Sequence, residues 1–315
     1  MSDSELPELQ RAIKGQGFTW TAGPTSLSAL PPHEQERRLG LRLIPEEMQR
    51  LASIKAAAAP VATDFPAAWD WRDVAGADWT TAIRDQGACG SCVAFGVVAV
   101  LETMLKLHLH KAALQPDLSE AHLFFCGCGD CCDKGWWPSY ALDYARDYGL
   151  PDEACFPYQD HDCACSDGCS DWQERAVRFR DWQEIVDVGQ RKAWLAQTGP
   201  MVACMAVYRD FFSYTGGVYR HVTGDLAGYH AVGVVGYSEE EQCWICKNSW
   251  GIGWGEAGWF KIGYGDCKMD SEFAMYGVEG VNLPEPGPTP PPPPPPPPQP
   301  GCNLWARLVR ALRRE

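Results

Sequence analysis

The stretch that most constrains this chain begins at Gln86. Gln86-Gly87-Ala88-Cys89-Gly90-Ser91-Cys92 is polar and punctuated by glycine. It leads into a run whose apolar residues (Val93, Ala94, Phe95, Val97, Val98, Val100, Leu101, Met104, Leu105, Leu107) fall on nearly every helical face. A helix that is apolar all round is stable only in the middle of a domain, so the rest of the chain must wrap around it. This spacing predicts that Cys92 sits in the first turn with Ser91 as N-cap. Unpaired N–H groups and the positive end of the helix dipole favour a thiolate there, which makes Cys92 a candidate nucleophile.

A nucleophilic thiol needs a base, and the base needs something to orient it. About 140 residues downstream, His230 opens a valine-rich strand in Gly228-Tyr229-His230-Ala231-Val232-Gly233-Val234-Val235-Gly236-Tyr237. A second strand, Cys243-Trp244-Ile245-Cys246-Lys247, ends at Asn248-Ser249-Trp250-Gly251. Amide hydrolysis by a thiol requires a thiolate, a proton donor for the leaving amine, and donors for the oxyanion. Cys92, His230 and Gln86 supply these in turn, with Asn248 holding the imidazole as the third member of a triad does.

These stretches resemble the catalytic segments of papain-family cysteine peptidases. Phe65-Pro66-Ala67-Ala68-Trp69-Asp70-Trp71-Arg72 is similar to the start of their mature chains. Ile83-Arg84-Asp85-Gln86-Gly87, Val207-Tyr208-Arg209-Asp210-Phe211 and the segment 213–224 are similar to the cathepsin B branch. The likeness spans roughly residues 16–282. It implies an α+β, papain-like fold of two lobes, one helical and one β-rich and barrel-like, with the active site in the cleft between them. It also implies a thioester acyl-enzyme, no cofactor and no metal, and peptides or proteins as substrates.

The resemblance carries finer expectations. Trp20-x-Ala22-Gly23 and Leu39-Gly40 are similar to a propeptide in which Trp20 is the anchor and Leu39 and Gly40 cross the active site, which implies that the chain's own arm is its inhibitor; the alternative is an arm that only packs on the domain. Gly135, Tyr229, Trp250 and Glu272 are the substrate-binding candidates, Trp250 also shielding the His230–Asn248 contact. Glu272, in Ser271-Glu272-Phe273, either lies at the base of a pocket for basic P2 side chains or is an ordinary surface charge. Disulfides Cys89–Cys132 and Cys126–Cys163 are implied. Two departures stand out. Val93 replaces an aromatic after the nucleophile, and Lys134-Gly135-Trp136 replaces a glycine pair. The region 161–169 is short and has only His161 where cathepsin B carries an occluding loop with paired histidines, which favours endopeptidase action.

Composition sets the remaining bounds. Fifteen cysteines among 315 residues favour an extracytoplasmic, lysosome-like or secreted setting, whereas residues 1–16 lack the apolar stretch of a signal peptide, so the compartment stays open. A net charge of −14 argues against nucleic acid as a partner. The cysteine-rich block 126–169 fits either zinc or disulfides. No paired Cys-x2-Cys…Cys-x2-Cys spacing appears in it, and composition together with the resemblance favours disulfides.

Four segments follow: an inhibitory arm over 1–62 with a cleavage-prone stretch between about 55 and 64, a peptidase domain over 63–283, a polyproline linker over 284–301, and a basic amphipathic tail over 302–315. The tail reads equally as a weak contact with an anionic membrane surface or protein and as a solubilising extension. Within the domain, strands are expected at 201–207, 231–237, 242–248 and 258–262, helices from about 32 to 39 and from Ser119, and His122 is expected to be structural. Rival readings are a transpeptidase or ligase sharing the acyl-enzyme, a catalytically dead binding protein, and a Cys89-x-x-Cys92 oxidoreductase.

Overall fold

The computed structural model describes residues 5–58 and 64–283. In chain order its helices are α1 (Glu5–Gly15), α2 (Pro32–Glu36), α3 (Pro45–Ala57), α4 (Cys92–His108), α5 (Pro138–Asp147), α6 (Trp172–Arg175) and α7 (Val188–Gln197). The strands are β1 (Thr21–Ala22), β2 (Ala68–Asp70), β3 (Arg178–Ile185), β4 (Met201–Tyr208), β5 (Tyr214–Gly216), β6 (Val218–Tyr219), β7 (Leu226–Ser238), β8 (Cys243–Lys247), β9 (Trp259–Gly263) and β10 (Met275–Asn282).

The apolar run forms α4, buried at every position from Cys92 to Lys106 except Ala99. Two charged side chains go inside with it and are satisfied by hydrogen bonds, as buried polar groups must be. The Glu102 carboxylate accepts from Thr81 Oγ1 at 2.5 Å and from the Leu118 N–H at 3.0 Å. Lys106 Nζ donates to the carbonyls of Asp78 and Thr80. Ser91 does not cap the helix. Its backbone has left the extended region that lets a side chain fold back (φ −94°, ψ 10°), and its hydroxyl meets Tyr158 Oη at 2.7 Å instead.

Of these ten strands, β1 and β5 form a separate antiparallel pair, and the other eight form one sheet in the order β3-β10-β4-β7-β8-β9-β6, with β2 added alongside β7. All its pairs are antiparallel except β6 with β9. β4 is buried on both faces, and its period-2 alternation divides the core. Val202 and Cys204 face the cluster around α4 and α5. Met201, Ala203, Met205 and Val207 face a second cluster rich in aromatics from β8, β9 and the 211–219 segment. An α+β architecture with a helical half and a strand half results.

The cysteine block is stapled by disulfides, with one pairing different from the expected one. Cys89–Cys132 forms, but Cys126 bonds to Cys165, not Cys163. Closing a loop two residues longer costs almost nothing, so local geometry decides. Cys165 opens a tight turn that brings its Cα within 4.8 Å of that of Cys126, while the free Cys163 thiol donates to the His161 carbonyl. Cys128–Cys131 and Cys155–Cys169 complete the set among the described residues.

The expected helix at 32–39 ends early, at Glu36. Ser119 does cap its segment, its hydroxyl accepting the His122 N–H at 2.9 Å, but the segment is a π-helical turn, His122–Cys126. His122 packs between Trp172 and Tyr144 with both ring nitrogens unpartnered, and burial pushes its pKa down to about 4, so it is a neutral core residue. The N-terminal boundary near residue 62 falls outside the described residues, as do the polyproline linker and the basic tail.

Candidate active site

The site gathers residues from both halves. The start of α4 presents Cys92, the interior of β7 presents His230, and the residue after β8 presents Asn248. Antiparallel pairing of β7 with β8 sets Gly233 opposite Lys247, which brings Asn248 alongside the start of the valine-rich run. His230 Nε2 donates to Asn248 Oδ1 at 2.8 Å, leaving Nδ1 as the acceptor nitrogen. Asn248 Oδ1 also accepts the Ser249 N–H at 2.8 Å, so the amide has a fixed orientation. Trp250, fully buried, covers the imidazole at 4.7 Å between ring centroids.

Cys92 is a free thiol, since Cys89 is committed to Cys132; the two do not form a Cys-x-x-Cys couple. The backbone N–H groups of Ala231, Gly40 and Val93 are aimed at its sulfur and favour the anion, but burial outweighs them and pushes the thiol up to about 11. Burial likewise pushes His230 down to about 4, against the opposing pull of Asn248 and of the Arg38 carbonyl that faces the ring. Both groups are therefore neutral in this state, contrary to the thiolate expected from the helix start alone. Something has removed water from them.

That something is the N-terminal arm. Its α1 buries Leu9 and Ile13 in the aromatic cluster, and Trp20, 2% exposed, packs against Tyr219 and Tyr214 with centroids 5.0 and 6.3 Å away. β1 pairs with β5, and α2 follows. The chain then passes Cys92 in extended form. The Arg38 carbonyl accepts from Gln86 Nε2 at 3.1 Å, Trp136 N–H donates to the Gly40 carbonyl at 2.8 Å, and Leu41 N–H donates to the Tyr229 carbonyl at 3.2 Å. Gly40 is needed here, because a Cβ would collide with the Gly90 backbone. Gly135, at φ 69°, meets Gly40 from the other side, and Leu39 packs over Gly228. Beyond the crossing, α3 buries Leu51, and Arg50 pairs with Glu184.

Of the sequence-derived residues, Cys92, Gln86, His230, Asn248, Trp250, Tyr229, Gly135, Leu39 and Gly40 come together, and Trp20 docks at a distance on the strand half. Glu272 sits on a neighbouring turn, 42% exposed and paired with Lys268 at 2.9 Å. Three participants carried no separate signal. Ser249 Oγ donates to Gln86 Oε1 at 2.7 Å and so aims Gln86 Nε2. Tyr158 Oη donates to the Gln86 carbonyl at 2.8 Å. Arg38 pairs with Asp85 at 2.6 Å while its carbonyl faces the site. Ser249 directly follows Asn248 in Asn248-Ser249-Trp250-Gly251, which is the one signal for it; the Tyr158 and Arg38 contacts are long-range.

Comparison with known proteins agrees with this geometry. The sequence model of the papain family of cysteine proteases matches residues 65–277. A cathepsin B-like cysteine proteinase 1 of Haemonchus contortus is 32% identical over 258 residues, covering 70% of this chain and 75% of that one. The solved procathepsin B S9 of Trypanosoma congolense superposes with a TM-score of 0.72 at 25% identity, covering 89% of this chain and 98% of the other. A digestive procathepsin L 3 of Tenebrio molitor shares the fold, with a TM-score of 0.68 at 24% identity and 88% coverage of each chain. The chain belongs to the papain family of cysteine proteases, with cathepsin B-like proteinases among its relatives.

Proposed function

We propose that this cysteine peptidase is an endopeptidase made as a zymogen, with residues 1–62 as the inhibitory arm and 63–283 as the catalytic domain. Once the arm leaves, Cys92 and His230 regain water and can exchange a proton to give a thiolate and an imidazolium. The thiolate attacks the scissile carbonyl. Gln86 Nε2 and the Cys92 N–H receive the oxyanion, His230 protonates the departing amine, and it then activates the water that opens the thioester. Asn248 keeps the imidazole in register.

The reading rests above all on the Arg38 carbonyl, which takes the Gln86 Nε2 hydrogen bond that a tetrahedral oxyanion would use. The arm thus imitates a bound chain at the site of chemistry. Endopeptidase action is supported by the 160–169 segment. Asp160 accepts the Ala88 N–H and Asp162 the Cys132 N–H, which ties the segment beside the Cys89–Cys132 bridge with no histidine pair to hold a chain end.

The test is to nick the full chain between residues 55 and 64, then follow cleavage of a casein-like substrate with mapping of new N-termini. Internal cuts made by the nicked protein and abolished by Cys92→Ala are expected. Equal activity before and after nicking sinks the zymogen reading, and removal of terminal dipeptides alone sinks the endopeptidase one.

A further inference from the structure

The turn after β9 is strained. Cys267 (φ 49°) and Lys268 (φ 62°) lie in succession in the left-handed region, which L side chains rarely adopt. Such a conformation persists only when its surroundings over-determine it, and here they do. The Asp270 carboxylate accepts from the Gly265 N–H at 2.7 Å and from Trp244 Nε1 at 2.9 Å, and it pairs with the buried Arg191 at 3.1 Å. Arg191 in turn donates to the carbonyls of Ile185 and Phe273. The turn is clamped at both ends.

The clamped turn aims one ammonium group. Lys268 Nζ lies 2.9 Å from Glu272 Oε1 and 5.9 Å from the centre of the Tyr229 ring. Tyr229 forms part of the cleft wall. It precedes His230, its carbonyl accepts the Leu41 N–H of the chain threading the cleft, and its ring packs edge-on against Phe273, the neighbour of Glu272. Leu41 itself is 5% exposed and belongs to the same apolar cluster as Phe273 and Ala274. The chain threading the cleft thus carries an aliphatic residue into the cluster that holds Phe273, at the Tyr229 wall that the Lys268 ammonium faces.

Building on the peptidase reading above, we propose that Lys268 determines substrate specificity. It holds Glu272 as an internal ion pair, so the pocket beside Tyr229 selects peptides with an aliphatic P2 side chain and admits a basic one only by displacing Lys268. Glu272 by itself would have invited arginine. Lys268 withdraws the invitation.

The test compares peptides that differ only at P2 (Leu, Arg, Glu) on the full chain after nicking and removal of the arm. Lys268→Gln should raise the P2-Arg to P2-Leu ratio of kcat/KM about tenfold, mostly through KM, as the carboxylate loses its partner. Lys268→Arg should keep the parent ratio. Glu272→Gln should favour P2-Glu, and the Lys268→Gln/Glu272→Gln double variant should be non-additive, since its pocket is uncharged. The same peptides are also titrated by fluorescence anisotropy onto Cys92→Ala protein with and without Lys268→Gln, so the ratio is read even if no hydrolysis occurs. Loss of hydrolysis with the binding ratio shifted would overturn the peptidase mechanism and support Lys268. An unchanged P2-Arg to P2-Leu ratio in Lys268→Gln, in rate or in binding, overturns the role of Lys268.

Discussion

Trp20 and Gly40 belong to one arm but hold the domain by different means. Around Trp20 the contacts are side chains. The indole is buried among Tyr214 and Tyr219, with Leu9 and Ile13 in the same cluster. Around Gly40 the contacts are backbone to backbone: Gly40 to Trp136, Leu41 to Tyr229, and Arg42 to Trp136. Aromatic burial supplies affinity that tolerates small shifts. Backbone pairing supplies register, and register decides which carbonyl lies against Gln86. The arm thus divides its labour, with docking strength at one end and placement at the other.

Trp20→Ala should have the largest effect. Emptying a buried indole site costs about 3–5 kcal/mol, and even a partial share of that weakens arm docking on the order of 100-fold. Labelling of Cys92 by iodoacetamide in the intact chain should accelerate to match. If labelling stays slow, Trp20 is not the anchor and the division fails at its strong end.

Gly40→Ala attacks the other end. The added Cβ meets Gly90 backbone, which cannot swing aside as a side chain could. The crossing should lift from Cys92 while α1 and Trp20 stay docked. About tenfold faster labelling is expected, together with unchanged hydrogen-exchange protection along α1. Loss of protection in α1 would show that the two ends act as one unit.

The same contrast separates what the sequence makes legible from what it hides. Cys92, His230, Asn248 and Gln86 could be read because each stands in a local motif whose chemistry requires that residue type. Helix α4 was equally plain, since its apolar residues leave no exposed face. α1 was passed over, although Leu6, Leu9 and Ile13 fall at helical spacing, because the polar residues between them mask a narrow apolar stripe. The Cys126–Cys163 pairing failed because two cysteines two residues apart are equivalent in sequence and differ only in where a short turn points them. The neutrality of Cys92 and His230 could not be read from their own motifs. It comes from water excluded by residues some fifty positions upstream of the nucleophile and far upstream of the base.

That neutrality yields a pH prediction. Covered His230 takes a proton only near pH 4, whereas an uncovered imidazole does so near 6.5. A group whose pKa is depressed by docking stabilises the docked state above its free value and loses that contribution as pH falls toward the depressed one. In a Cys92→Ala chain, where no thiol shares the imidazole's proton, arm docking should therefore weaken by about tenfold between pH 6.5 and about 5.2. Exchange of the Trp136 amide, which donates to Gly40, reports it directly. His230→Asn should remove the slope above pH 5; a slope that survives there assigns it to the arm's carboxylate pairs instead.

The smallest effect should come from Arg38→Ala. The side chain pairs with Asp85 at 2.6 Å, but the Asp85 carboxylate is half exposed, and pairs of that kind contribute at most about 1 kcal/mol. On the zymogen reading proposed above, the block is the Arg38 carbonyl on Gln86, and alanine retains a carbonyl. Cys92 labelling should therefore rise by less than about fivefold, and added salt should give the parent protein the same modest increase. A rise comparable to that of Gly40→Ala would mean that the guanidinium sets the register. Placement would then depend on charge as much as on backbone pairing, and the line drawn between the two ends of the arm would have to move.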